Sequence, residues 1–200
     1  MPLNGTTTVS LVGVGGQGIL LGAAILAETA SLAGLQVKAS EVKGMAQRGG
    51  SVLSTVRFGA RVWSPVGPRA DVVIATELLE GIRGLALLRP QGTMVCATST
   101  RVTPGSVLRR EEDYPDDLAG EARRRRVRLV EVDAEGLARA AGTSRAVNVA
   151  LLGAASTVLP FDPHQWRAGL EAVLPDKILE VNLRAFELGR AGAPTQEVVS

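Results

Sequence analysis

The stretch Val9–Leu35, VSLVGVGGQGILLGAAILAETASLAGL, decides how the chain is read. An apolar run (Val9, Leu11, Val12, Val14) passes into Gly13, Gly15, Gly16 and Gly18, then into apolar residues at helical spacing: Leu20, Ala23, Leu26, Ala27 and Ala30. This pattern predicts a buried strand, a tight turn and a helix. The spacing Gly13-x-Gly15-x-x-Gly18 suits a turn where backbone approaches an anion, because glycine offers no obstructing side chain and tolerates positive φ. The N–H groups opening the helix, with the positive end of its dipole behind them, would face a phosphate or carboxylate. The same glycines also suit a turn that merely lets the helix pack close to the sheet.

The remaining chain extends an α/β pattern. Gln36–Ser40 reads as a short strand closed by Glu41, which falls 23 residues after Gly18, near the place of a ribose-holding acid in a dinucleotide-binding unit. Ser51–Phe58 alternates and turns at Gly59, with Val62–Ser64 as its expected antiparallel return. Asp71–Ala75 and Thr93–Ala97 read as buried parallel strands around a helix over Glu77–Leu88. A long polar loop over Ser99–Gly120 precedes a short helix near Asp116. Val127–Val132 reads as a strand, and Asp133 caps a helix over Ala134–Ala141. Further helices follow over Ser144–Leu159, Pro163–Val173 and Lys177–Gly189. The expectation is a mostly parallel Rossmann-like sheet flanked by helices, with an antiparallel hairpin and a C-terminal helical segment.

Composition narrows the function classes. The 200 residues carry 22 Lys and Arg against 20 Asp and Glu, a net charge of +2, and only six aromatic residues, which argues against a nucleic-acid module. One cysteine, Cys96 in an apolar run, leaves no disulfide framework and no iron-sulfur cluster held by this chain alone; it reads as a buried small hydrophobe in a reducing, cytoplasmic setting. The apolar run Ile19–Ala27 is cut by Glu28 and too short to span a bilayer, so no membrane role is expected. The lone His164 gives no metal-ligand pattern. Arg123–Arg126 cannot share one helical face and read as solvated surface or a subunit contact.

Two further features need a function. The glycine-punctuated stretch Glu41–Gly50, EVKGMAQRGG, carries Lys43, Gln47 and Arg48 where a plain repeat would place a helix, and such loops often carry function. Lys43 and Arg48 can each meet a phosphate or carboxylate. Asn148 stands in the apolar helix around Val147–Ala155, where an amide needs a hydrogen-bonding purpose, either in packing or in a site or interface.

Together GVGGQG (Gly13–Gly18), SEVKGMAQRGGSV (Ser40–Val52), ADVVIATE (Ala70–Glu77), NVALLGA (Asn148–Ala154) and PDKILEVNLRAFELG (Pro175–Gly189) resemble the gamma-type domain of the 2-oxoacid:ferredoxin oxidoreductases, most of all its indolepyruvate branch. The resemblance implies one such domain over residues 1–192 with a tail over 193–200. It implies a non-autonomous subunit of a hetero-oligomer with no catalytic residue of its own. A large alpha subunit would carry thiamine diphosphate with magnesium and the iron-sulfur clusters, and the complex would pass an acyl group to coenzyme A and electrons to ferredoxin. On this resemblance Gly13, Gly15, Gly16, Gln17 and Gly18 form an anion-binding turn. Glu41, Met45, Gln47, Arg48, Gly49 and Gly50 form a loop facing the partner's active site or coenzyme A. Lys43 stands where relatives are expected to carry His or Tyr. Two other functions fit the glycines: a free-standing NAD(P)-dependent oxidoreductase using Glu41, and a non-catalytic nucleotide-binding protein.

Overall fold

The computed structural model describes residues 5–43, 50–67, 69–101, 114 and 117–193. Strand β1 (Thr6–Val14) leads through the glycine turn into helix α1 (Ile19–Leu32), followed by β2 (Gln36–Lys43) and β3 (Ser51–Gly59). Strands β4 (Ala70–Ala75) and β5 (Leu88–Ala97) flank α2 (Leu78–Gly84) and a 3-10 turn (Leu85–Leu87). Then come α3 (Leu118–Arg124), β6 (Arg128–Val132), α4 (Ala134–Ala141), α5 (Val147–Ala155), α6 (Pro163–Val173) and α7 (Asp176–Gly192).

The strands form one sheet in the order β2-β3-β1-β4-β5-β6. β1, β4, β5 and β6 are mutually parallel, while β3 runs antiparallel to both β1 and β2. This mixed, mostly parallel sheet is the expected class with one correction. The partner of Ser51–Phe58 is not Val62–Ser64: β3 has β1 on one edge and β2 on the other, so neither edge is left for a returning strand. Residues 61–66 are held instead by side chains, with Arg57 Nη1 donating to the carbonyls of Ser64 (2.6 Å) and Val66 (3.0 Å) and Lys38 Nζ to that of Trp63 (3.0 Å).

Helices cover both faces. On one, Ile25 and Leu26 of α1, Val149, Leu151 and Leu152 of α5, and Trp166 and Leu170 of α6 are buried with Val9, Leu11 and Ile74 of the sheet. On the other, Leu78, Leu85, Leu118 and Ala122 close over Val73, Met94 and Cys96. Cys96 is fully buried as expected, and burial first, then the charges of Glu77 and Glu131, push its thiol up to about 12.

Helix ends show where local chemistry was enough. Asp133 accepts from Gly136 N–H at 3.0 Å to open α4, which closes at Gly142 with φ +109°. Asp162 and Gln165 form a reciprocal capping box with Pro163 in the first turn, so α6 has the expected bounds. Elsewhere tertiary contacts moved the boundaries. The helix expected over Glu77–Leu88 ends at Gly84, and Leu88 already belongs to β5. The helix expected over Ser144–Leu159 spans only Val147–Ala155, and the Ser156 hydroxyl turns back onto the Gly153 carbonyl at 2.6 Å. Residues 194–200, expected as a tail, lie outside the described residues.

Candidate functional site at the glycine turn

The turn after β1 is built by left-handed glycines and one glutamine. Gly16 has φ +102° and Gly18, which precedes the first turn of α1, has φ +74°. L side chains rarely adopt these values, which is why the sequence needs glycine there. Gln17 folds back so that Oε1 accepts from Val14 N–H at 2.8 Å and from the Thr76 hydroxyl at 2.7 Å. Thr76 N–H in turn donates to the Val12 carbonyl at 3.0 Å. The end of β4 thus braces the turn after β1. Gly13 is required by this brace, since a Cβ there would stand 2.0 Å from Thr76 Oγ1 and 2.9 Å from Gln17 Oε1.

Asn148 joins the same turn. Its Nδ2 donates to the Gly18 carbonyl at 3.0 Å across 130 residues of sequence. The hydrogen-bonding purpose expected of this amide is met by that carbonyl. Thr76 is the residue that sequence reasoning did not single out. Its signal was a hydroxyl at the carboxyl end of a buried parallel strand, beside the position where ligands bind in open α/β sheets.

A cleft of about 430 Å³ opens here, its lining including Gly16, Gln17, Gly18, Arg145, Asn148 and the carboxylate of Glu135. Helices α1 and α5 both begin at this cleft, and neither N-terminus has a side-chain cap. Their orphan N–H groups and dipoles favour an anion. Arg145 is exposed beside them. Glu135 is already engaged, accepting from the Thr100 hydroxyl at 2.8 Å and pairing with Arg139 at 3.5 Å. Among the described residues no group of three or more His, Cys, Asp or Glu could hold a metal ion. No helix among them is long and apolar enough to cross a membrane.

The second predicted element reaches the turn through one described residue. Gly15 N–H donates to the Gly50 carbonyl at 2.9 Å, so Gly15 is committed to the chain entering β3 rather than to a ligand. Met45, Gln47, Arg48 and Gly49 lie outside the described residues. Glu41 is not brought to the turn: it pairs with Ser54 of β3, and β3 separates β2 from β1. Two strand spacings, about 10 Å, therefore stand between Glu41's strand and β1. A ribose-holding acid in a dinucleotide unit sits on the strand beside β1, a place that β3 takes here, and the NAD(P) alternative loses its acid.

Comparison with known proteins agrees with this architecture. The family model for pyruvate ferredoxin/flavodoxin oxidoreductase matches residues 8–192. The chain is 37% identical over 187 residues to indolepyruvate oxidoreductase subunit IorB of Archaeoglobus fulgidus, covering 90% of this chain and 92% of that one. It is 35% identical over 195 residues to the subunit of the same name from Thermococcus kodakarensis, covering 90% and 93%. Among solved structures, the 2-oxoglutarate:ferredoxin oxidoreductase of Magnetococcus marinus, determined with 2-oxoglutarate, coenzyme A and succinyl-CoA bound, shares the fold with a TM-score of 0.73 at 22% identity. That match covers 93% of this chain and 30% of the other.

Proposed function

The chain belongs to the pyruvate ferredoxin/flavodoxin oxidoreductase family and is an IorB-like subunit of a 2-oxoacid:ferredoxin oxidoreductase, and from that premise we propose that it supplies the coenzyme A-facing surface of the complex. The reaction is the oxidative decarboxylation of indolepyruvate or a related aryl-pyruvate: oxidised ferredoxin takes the electrons, carbon dioxide leaves, and the acyl group goes to coenzyme A. A separate large alpha subunit holds thiamine diphosphate, magnesium and the iron-sulfur clusters. The chemistry of this chain fits that division, because a cluster needs several thiolates and the single cysteine here is buried in the core.

The observation that carries the reading is the convergence of two uncapped helix N-termini and Arg145 on the cleft beside Gly16 and Gly18. Phosphate groups of coenzyme A suit such a site, since oriented N–H donors and a guanidinium both favour multiply charged oxygen anions. Gly50, the first described residue after β2, is bonded to the glycine turn through Gly15 N–H. Gln17 and Asn148 hold the turn in shape, and Arg48 contributes a second cation to coenzyme A or the 2-oxoacid carboxylate.

The test is copurification from the native cells followed by substitution. The tagged chain should bring down one large subunit containing iron and thiamine diphosphate. In that complex Arg48→Ala should lower kcat/KM for coenzyme A on the order of 100-fold, about 3 kcal/mol, with assembly intact. Near-normal turnover by the variant would remove Arg48 from the site.

A further inference from the structure

Helix α1 packs on one face of β2 and β3, whereas α2, on the opposite face of the sheet, lies over β1, β4 and β5. The face of β2 and β3 turned away from α1 is crossed instead by the strap of residues 61–66. Its backbone is pinned at four consecutive carbonyls. Lys38 Nζ holds that of Trp63, Arg57 Nη1 those of Ser64 and Val66, and the Ser40 hydroxyl donates to that of Pro65 at 3.5 Å. Val62 is turned inward and is 3% exposed, while Trp63 and Val66 are left 74% and 72% exposed.

Between this strap and the 3-10 turn at Leu85–Leu87 lies a groove of about 380 Å³ with Val42, Leu53, Pro65 and Val66 in its walls. Its floor carries the Ser10 and Thr55 hydroxyls, 3.1 Å apart and bonded to each other. Among the described residues the exposed large apolar side chains are Leu32, Val42, Trp63 and Val66. Two of them line the groove, Trp63 stands on the strap beside it, and only Leu32, at the end of α1, lies apart. Exposed apolar groups gathered in this way mark an interaction site, and a Trp–Arg pair is typical of the anchors of such sites. The pair is present, with the Arg61 guanidinium 3.9 Å over the Trp63 ring. Because the strap is already held, a partner would meet it with little further ordering to do.

Charge selects the occupant. Lys38, Arg61 and Arg69 are exposed around the groove, and among the described residues none of the three has an ion-pair partner. A second copy docked about a two-fold axis would set this same patch against itself and bring like charges together. We propose that the groove and its strap dock the separate catalytic subunit of the oxidoreductase, through a segment that inserts an aliphatic or aromatic side chain and flanks it with Asp or Glu. The inference rests on the two-subunit reading given above.

The experiment uses the full chain and the large subunit that copurifies with it, with affinity measured by biolayer interferometry and hydrogen exchange compared between the free chain and the complex. Trp63→Ala and Val66→Asp should each weaken association about 30-fold or more. The Tm of the free chain should stay within about 2 °C of the parent, because both side chains point to solvent. Arg61→Glu should weaken association and flatten its dependence on salt. Leu32→Asp is the control and should associate like the parent. Exchange in the peptide spanning residues 60–67 should slow on complex formation. If Trp63→Ala and Val66→Asp associate like the parent and this peptide exchanges equally fast bound and free, the docking role is overturned and the two-subunit reading stands. If the parent itself does not bind the large subunit, that reading falls and takes the docking role with it. A parent chain that sediments alone as a dimer, and that Trp63→Ala makes monomeric, would assign the groove to a second copy and overturn the proposal.

Discussion

Replacing Gly18 with alanine tests whether the glycine turn and α5 form one unit. Two costs arise. The backbone has φ +74°, in the left-handed region, which costs an L residue about 1–2 kcal/mol. The new Cβ would also stand 2.6 Å from Asn148 Nδ2 and 3.0 Å from its Cγ, so the amide must move off the Gly18 carbonyl that it holds at 3.0 Å. Asn148 is 6% exposed, and a displaced amide there loses its bond without gaining water, about 1–2 kcal/mol more. Gly18→Ala should therefore cost about 3 kcal/mol and lower Tm by about 10 °C. Asn148→Ala alone should cost only about 1 kcal/mol, since the Gly18 carbonyl keeps the Gly22 N–H at 3.0 Å. In the double variant only the backbone strain remains for the alanine, so the two costs should fall short of additivity by about 1–2 kcal/mol. Gly16→Ala is the control. Its φ is +102° but a Cβ there meets nothing within 4 Å, so its cost should be independent of Asn148. Urea unfolding followed by circular dichroism measures these four variants and a fifth that combines Gly16→Ala with Asn148→Ala. Additivity of Gly18→Ala and Asn148→Ala within about 0.5 kcal/mol would refute the coupling.

Two other outcomes follow from the packing and the buried thiol. At Gly189 in α7 a Cβ would stand 1.9 Å from the Ala150 carbonyl oxygen, a backbone atom that cannot swing aside, so Gly189→Ala should force α5 and α7 apart and cost about 3 kcal/mol in denaturant unfolding. For Cys96 the folded value, about 12, lies above the ordinary 9.0, so the unfolded chain releases the thiol proton first as pH rises. Stability linked to this group is complete below about pH 9 and is lost between about 9 and 12, and Cys96→Ala should flatten that part of the stability–pH curve.

Much of the site was legible because it depends on local backbone chemistry. Gly16 and Gly18 were recognisable because positive φ is a property of single residues, and the structure places both there. Asn148 stood out as an amide in an apolar helix, but its partner lies 130 residues away and no local pattern names it. Thr76 escaped notice for the same reason, since it is an ordinary polar residue just ahead of a helix until Gln17 is set against it.

What the chain determined by itself is what nearest neighbours along the backbone control. Alternation and apolar runs set strands and helices, Asp133 and Asp162 set helix starts, and the glycines after β1 set a turn with positive φ at Gly16 and Gly18. Which strand lies beside which was decided only in three dimensions. The insertion of β3 between β1 and β2 leaves Val62–Ser64 unpaired and moves Glu41 away from the glycines, because a strand has two edges and β3 has both filled. Adjacency in a sheet is a competition among all strands for hydrogen-bonding edges, and its outcome is a property of the whole packed layer rather than of any one segment.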